Sequence, residues 1–210
     1  MVHVDDSASE LVHDGSTWCA AFLHLQDALE VAAASGGAVT EIRVAQGVYK
    51  PDRGGNHILG DRLATFRLVK DSALRGGYAG CGAADPDARD VTAFETVLSG
   101  DLVGNDGPNF SNYADNAFHV VTNNDTAVTA STLFDGFTVR GGNANGTLAA
   151  KTDQGGGFHN HSGHHPLFDG GPTVANCLFK ENWAANHGAV NDHGGMTLVN
   201  CEFRDNHAGM

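Results

Sequence analysis

Asn176-Cys-Leu-Phe-Lys-Glu-Asn182 and Asn200-Cys-Glu-Phe-Arg-Asp-Asn206 are one phrase written twice, 24 residues apart. A unit this short cannot bury its own apolar face, so it has to stack on its neighbours, and stacked units make a solenoid. A second correspondence runs beside the first. Gly156-Gly-Phe-His-Asn160 matches Gly188-Ala-Val-Asn-Asp192, and then Ala208-Gly-Met210. On that alignment Phe158, Val190 and Met210 share one position, and being apolar they face the core. The chain then stops before the rest of its last turn is complete.

Upstream of residue 155 the same style continues less regularly. Short strands are predicted at Glu41-Ile-Arg-Val-Ala45, Ala64-Thr-Phe-Arg-Leu-Val69, Glu95-Thr-Val-Leu98, Ala117-Phe-His-Val-Val121 and Leu133 to Val139. Each gives way to Gly, Asn or Asp. One helix is predicted over residues 21–34, where Phe22, Leu25, Leu29 and Ala32 recur at helical spacing and Gly36-Gly37 ends the run. With 28 glycines, 5 prolines and 41% hydrophobic residues, the composition suits many tight turns between strands. The whole of 1–210 reads as a single domain: a cap over 1–40, irregular rungs over 41–154, and regular, open-ended repeats over 155–210.

Charge narrows the partners. Twenty-five acidic against 12 basic residues leave a net charge of −13, which repels a phosphate backbone, so nucleic acid is not an expected partner. No apolar run is long enough for a membrane-spanning helix. The start, Met1-Val-His-Val-Asp-Asp6, lacks the charged and apolar regions of a signal peptide.

Several segments resemble bacterial surface proteins built as right-handed parallel β-helices. They are Asp14-Gly-Ser-Thr-Trp-Cys19, Leu25-Gln-Asp-Ala-Leu29, Ile42 to Tyr49, Gly76-Gly-Tyr-Ala-Gly80, Leu98-Ser-Gly-Asp-Leu102, Phe134 to Val139 and the Asn-Cys-x-Phe repeats. These proteins have a pectate-lyase-like fold, with repeats similar to those of polymorphic outer-membrane proteins. The resemblance covers nearly the whole chain. It implies an all-β, single-stranded right-handed parallel β-helix with a short N-terminal capping helix, cut within a C-terminal rung. It also implies an exported or cell-surface parent, and it carries over no catalytic residue. An uncapped last rung exposes unpaired backbone and apolar side chains, so a homodimer through that end is expected.

Cys177 and Cys201 occupy equivalent repeat positions and read as a ladder of small thiols. Cys19 and Cys81 lie outside the repeats and are the candidates for a disulfide.

Seven of the 12 histidines fall between 159 and 207: His159, His161, His164, His165, His187, His193 and His207. If Phe158 points inward, pleat alternation turns His159 and His161 outward, and His187, Asn191 and His193 follow on the next rung, with His207 after them. His161 should then lie over His193, and His187 beside His207. Neutral imidazoles so close are good metal ligands. The row His159, His161, His187, His193 and His207 is therefore a candidate site for zinc, or for copper or nickel. Asp153 would be the general base if a metal-bound water attacked an ester or phosphoester. Asp192 has the wrong parity for the row and reads as a ladder residue equivalent to Asn160. The alternative is a non-catalytic surface or adhesion module touching glycans, with Trp183 the best sugar contact. A polysaccharide lyase is the third reading, disfavoured because Lys180 and Arg204 look like a solvated ladder beside Glu181 and Asp205.

Overall fold

The protein was analysed as a computed structural model that describes residues 1–124, 128–161 and 170–209. The elements begin with β1 (Val2–Val4), α1 (Leu25–Ala34), β2 (Glu41–Ala45), β3 (Gly47–Tyr49), β4 (Phe66–Arg67), β5 (Ala73–Tyr78) and β6 (Thr96–Ser99). After two short 3-10 turns come β7 (Val121–Asn123), β8 (Leu133–Asp135), β9 (Thr138–Arg140) and β10 (Asn143–Ala144). Past a third 3-10 turn follow β11 (Phe158–Asn160), β12 (Thr173–Ala175), β13 (Leu178–Lys180) and β14 (Trp183–Ala184). The last four are β15 (Val190–Asp192), β16 (Thr197–Val199), β17 (Glu202–Arg204) and β18 (His207–Ala208).

The chain is mostly β, with parallel sheets and one α-helix among the described residues. Among the described residues four sheets form, with strand orders β1-β2-β5-β8-β12-β16, β3-β6-β9-β13-β17, β4-β7-β11-β15 and β10-β14-β18. In each, strand order follows chain order while the intervening strands lie in other sheets. The 24-residue phrase sets the register of the last turn: Val174 pairs with Leu198, Phe179 with Phe203, and Trp183 with His207.

Boundaries differ from the sequence reading in several places: the strand expected over 64–69 is only Phe66–Arg67, that over 95–98 runs Thr96–Ser99, and three others differ for a clear local reason. The run predicted over Leu133 to Val139 is two strands, because Gly136 takes φ 86° and breaks the extended backbone. A Cβ there would sit 2.6 Å from Arg89 and 2.7 Å from Val91, so the corner needs glycine. The strand expected over 117–121 begins only at Val121, where pairing with β4 and β11 starts. Helix α1 starts at Leu25 because Phe22 is already bridged to Val4. Its buried face, Leu25, Ala28, Leu29 and Ala32, closes one end of the core. The expected cap also contains β1, the first strand of the six-stranded sheet.

Large side chains fill the interior. Phe134, Phe137, Phe158 and Phe179 are almost fully buried, and Phe134 stacks on Phe137 at 4.6 Å. Burying each ring contributes roughly 1.5–3 kcal/mol. Polar ladders join the turns between them. Asn123 donates to Asn160 at 2.9 Å and Asn160 to Asp192 at 2.6 Å, which places Asp192 in the ladder role expected of it. Asn200 donates to Asn176, and Asn176 to Asp135, both at 2.8 Å. Cys19 and Cys81 form a disulfide, whereas Cys177 and Cys201 are free thiols. The interior-type residues of the last turn stay open: Leu198 is 45% exposed and Phe203 46%, against 0% for Val174 and Phe179. No helix among the described residues is long and apolar enough to cross a membrane.

Candidate functional site

Strand β11 sets the histidine face. Phe158 enters the core, so His159 points to the opposite side, in register with Thr122 on one neighbour and Asn191 on the other. Up to this point the parity argument holds. The expectation that His159 meets solvent does not, because it is only 3% exposed, as are Thr122 and Asn191. The connection between β10 and β11 folds back over that face. Its carbonyls at Lys151 and Gly155 meet His119, its Gln154 amide oxygen accepts from Asn191, and its Lys151 ammonium touches His161.

Under this cover the imidazoles stack. His119 lies on His159 at 4.7 Å, and His159 on His161 at 5.6 Å, with interplanar angles of 24° and 16°. His161 meets His193 edge-on at 5.7 Å, as the rung spacing requires, and His187 lies 6.2 Å from His193. Hydrogen bonds bind the group together. His187 Nδ1 pairs with Asn191 Oδ1 at 2.8 Å, while Asn191 Nδ2 faces both His159 Nδ1 and Gln154 Oε1.

Burial and crowding lower the pKa of three of these rings, His159, His161 and His119. His159 is pushed down to about 3, first by desolvation and then by His119 and His161. His161 is lowered by desolvation, then by Lys151 and His193. At His119 the two carbonyls favour the charged ring, at 3.1 and 2.9 Å, but burial outweighs them and its pKa is lowered.

Two buried polar atoms here have no hydrogen-bonding partner, His159 Nε2 and Asp153 Oδ1. Asp153 is 4% exposed, and its other oxygen accepts from Asn186 at 3.0 Å. That tie and that burial hold it away from the open position a general base needs.

The expected five-histidine row does not assemble. His207 pairs with Trp183 on β14, not with His187, and its ring stacks on Trp183 at 6.2 Å. The Gly-Ala and Ala-Gly correspondence implied a spacing of 20 residues for the last turn, whereas the Asn-Cys phrase carries 24, and the backbone follows 24. His164, His165 and Met210 lie outside the described residues. Among the described residues, no group of three or more His, Cys, Asp or Glu is placed to hold a metal ion. The Lys151 ammonium against His161 Nε2 sits where a cation would have to come.

A second cluster lies at the corner between β9-β13-β17 and β10-β14-β18. Gly141, Glu181 and Asp205 turn the chain there at φ 72°, 55° and 50°. Residues 106–113 roof this corner, pinned by Tyr113, whose hydroxyl donates to the Glu181 carbonyl at 2.9 Å. Phe110 packs edge-on against Tyr113 at 5.1 Å and lies 5.9 Å from His207. Asp106 is pushed up to about 6 by burial, against the opposing bond from Asn116. Trp183 stands out by its chemistry, and Arg140 shares the register of Lys180 and Arg204, but Phe110, Tyr113 and Asp106 carry no periodic signal. Only the 24-residue spacing of Trp183 and His207 points to the place.

No family model, curated protein or solved structure matches this chain.

Proposed function

We propose that the chain is a right-handed parallel β-helix serving as a non-catalytic scaffold of an exported, surface-located protein. The observation that carries this is the connectivity. Among the described residues, and apart from β1 and β2, which only α1 separates, each sheet gathers its strands in chain order while the chain visits the other sheets in between, which supports the path of a coil. Parallel crossovers are right-handed in nearly all proteins, which supplies the hand. The Cys19–Cys81 disulfide supports an oxidising compartment outside the cytosol.

Small-angle scattering tests the scaffold itself, with a rod-like profile expected and a spherical one contradicting it.

The second reading is a transition-metal patch at His159, His161 and His193, favoured by the unpaired Nε2 of His159. It requires Lys151 to leave His161. Elemental analysis after incubation with zinc decides it: stoichiometric zinc lost in His161→Ala/His193→Ala supports it, and no retained metal ends it. Hydrolysis of a small ester or phosphoester gains no support, since Asp153 is enclosed and tied to Asn186. A lyase gains none either. Arg140, Lys180 and Arg204 do stack in register, but Arg204 is spent on Glu202 of its own strand.

A further inference from the structure

The corner beneath residues 106–113 holds a cavity of about 670 Å³, within the size range of ligand pockets. It shares Phe110 and Tyr113 with a shallower hollow that reaches Trp183, so the two form one groove. Along this groove runs an unbroken row of rings: Tyr113, Phe110, His207 and Trp183, each within 6.2 Å of the next. The row is half-open to solvent at Phe110 and Trp183, unlike the phenylalanines of the core.

Beside the rings stand polar atoms with nothing to bond. Asp106 Oδ1 is a buried acceptor without a donor, and Arg140 Nε is a buried donor without an acceptor. Asn116, fully buried, has its amide nitrogen committed to Asp106 Oδ2 and the Gly141 carbonyl, which leaves its own Oδ1 unpaired. These three atoms are closed to solvent, so what the groove offers a ligand is the side chains that line it, Asp106 and Arg140, rather than these atoms themselves.

We propose that this groove binds a neutral saccharide, its rings laid on the Phe110–Trp183 row and its hydroxyls bonded to Asp106 and Arg140. A pyranose has an apolar face of C–H groups and a rim of hydroxyls that both donate and accept. An aromatic face supplies the first need, and a fixed acceptor beside a fixed donor supplies the second. Flat apolar ligands would leave Asp106 and Arg140 unpaired, and ions would not use the rings. Charge selects within the sugars. Asp106, Glu181 and Asp205 line the groove against the single guanidinium of Arg140, a field that repels uronic acids.

The test is calorimetric titration of the whole chain with neutral oligosaccharides of glucose, xylose, mannose and N-acetylglucosamine, with oligogalacturonate as the acidic comparator. At least one neutral series is expected to bind with a micromolar to millimolar Kd. Phe110→Ala should raise that Kd at least tenfold and Asp106→Asn several-fold. Phe110 sits on the partly exposed roof, so its loss leaves the core strands intact, and circular dichroism verifies this. The proposal is overturned if no neutral series binds. It is equally overturned if both variants bind like wild type, or if oligogalacturonate binds most tightly.

Discussion

Replacing Phe179 and Phe203 by alanine, one at a time, separates an interior ring from its copy 24 residues later. The two occupy paired positions on β13 and β17, and their rings stack at 5.1 Å with an interplanar angle of 11°. Phe179 is fully buried, so Phe179→Ala removes its transfer energy and leaves a cavity; such changes cost about 3–5 kcal/mol. Phe203 is 46% exposed. Roughly half the transfer energy of a phenylalanine is at stake there, ~0.8–1.5 kcal/mol. The ring pair adds ~0.5 kcal/mol or somewhat more, and no closed cavity forms because solvent fills the space. The expected loss for Phe203→Ala is therefore about 1–2 kcal/mol.

Urea unfolding at low protein concentration measures both, provided the slope of free energy against urea is shared. Phe179→Ala should lose at least twice as much as Phe203→Ala. Equal losses at low concentration would refute the reasoning, because they would mean that something already covers β17 in the monomer.

Three further outcomes follow from the structure. Reducing the Cys19–Cys81 bridge frees a loop of 62 residues in the unfolded chain, which should cost ~4 kcal/mol and lower Tm by about 10 °C in a scan with and without reductant. His159 stays neutral in the fold down to about 3, so the unfolded chain takes up its proton first; wild type should lose stability as pH falls from 6.5 towards 4. His159→Gln should flatten that slope by up to ~1.4 kcal/mol per pH unit, and an unchanged slope would contradict the buried neutral ring. Finally, Cys201 is half-buried and its thiol is pulled below the usual range by the Cys177 S–H, while burial pushes Cys177 up. Iodoacetamide at neutral pH should therefore label Cys201 first, and peptide mapping that finds Cys177 labelled equally would reject the assignment.

How much was legible beforehand depended on whether a residue belonged to the repeat. The Asn-Cys-x-Phe phrase alone places Phe179 opposite Phe203, because identical units paired strand on strand put identical residues side by side. Pleat alternation likewise placed His159 off the core and His161 against His193. It failed on exposure, since the cover over His159 comes from residues 151–155, which have no period to read. His207 was misplaced through reliance on Gly and Ala matches. Those residues mark close backbone approach wherever it occurs, so they fix register poorly. The Asn and Phe positions fix it because each needs one particular ladder partner or core slot.

This contrast also indicates where function resides on such a scaffold. Stacked strands repeat the same surface every 24 residues or so, and a regular surface offers nothing distinctive to a ligand. Distinct chemistry arises where a long connection breaks the repeat and folds over it. Residues 100–120 between β6 and β7 roof the aromatic groove, and residues 145–157 between β10 and β11 roof the histidines. Both roofs bury titratable groups against the strand face, and both leave unpaired polar atoms beneath them. The two differ in what fills the space. Over the histidines the rings and Lys151 occupy it themselves, whereas over the aromatic corner about 670 Å³ remains open. An enclosed polar cluster rigidifies, while an open one leaves room for a ligand. On that ground the corner beneath Phe110 is the stronger site, although the histidines drew attention first.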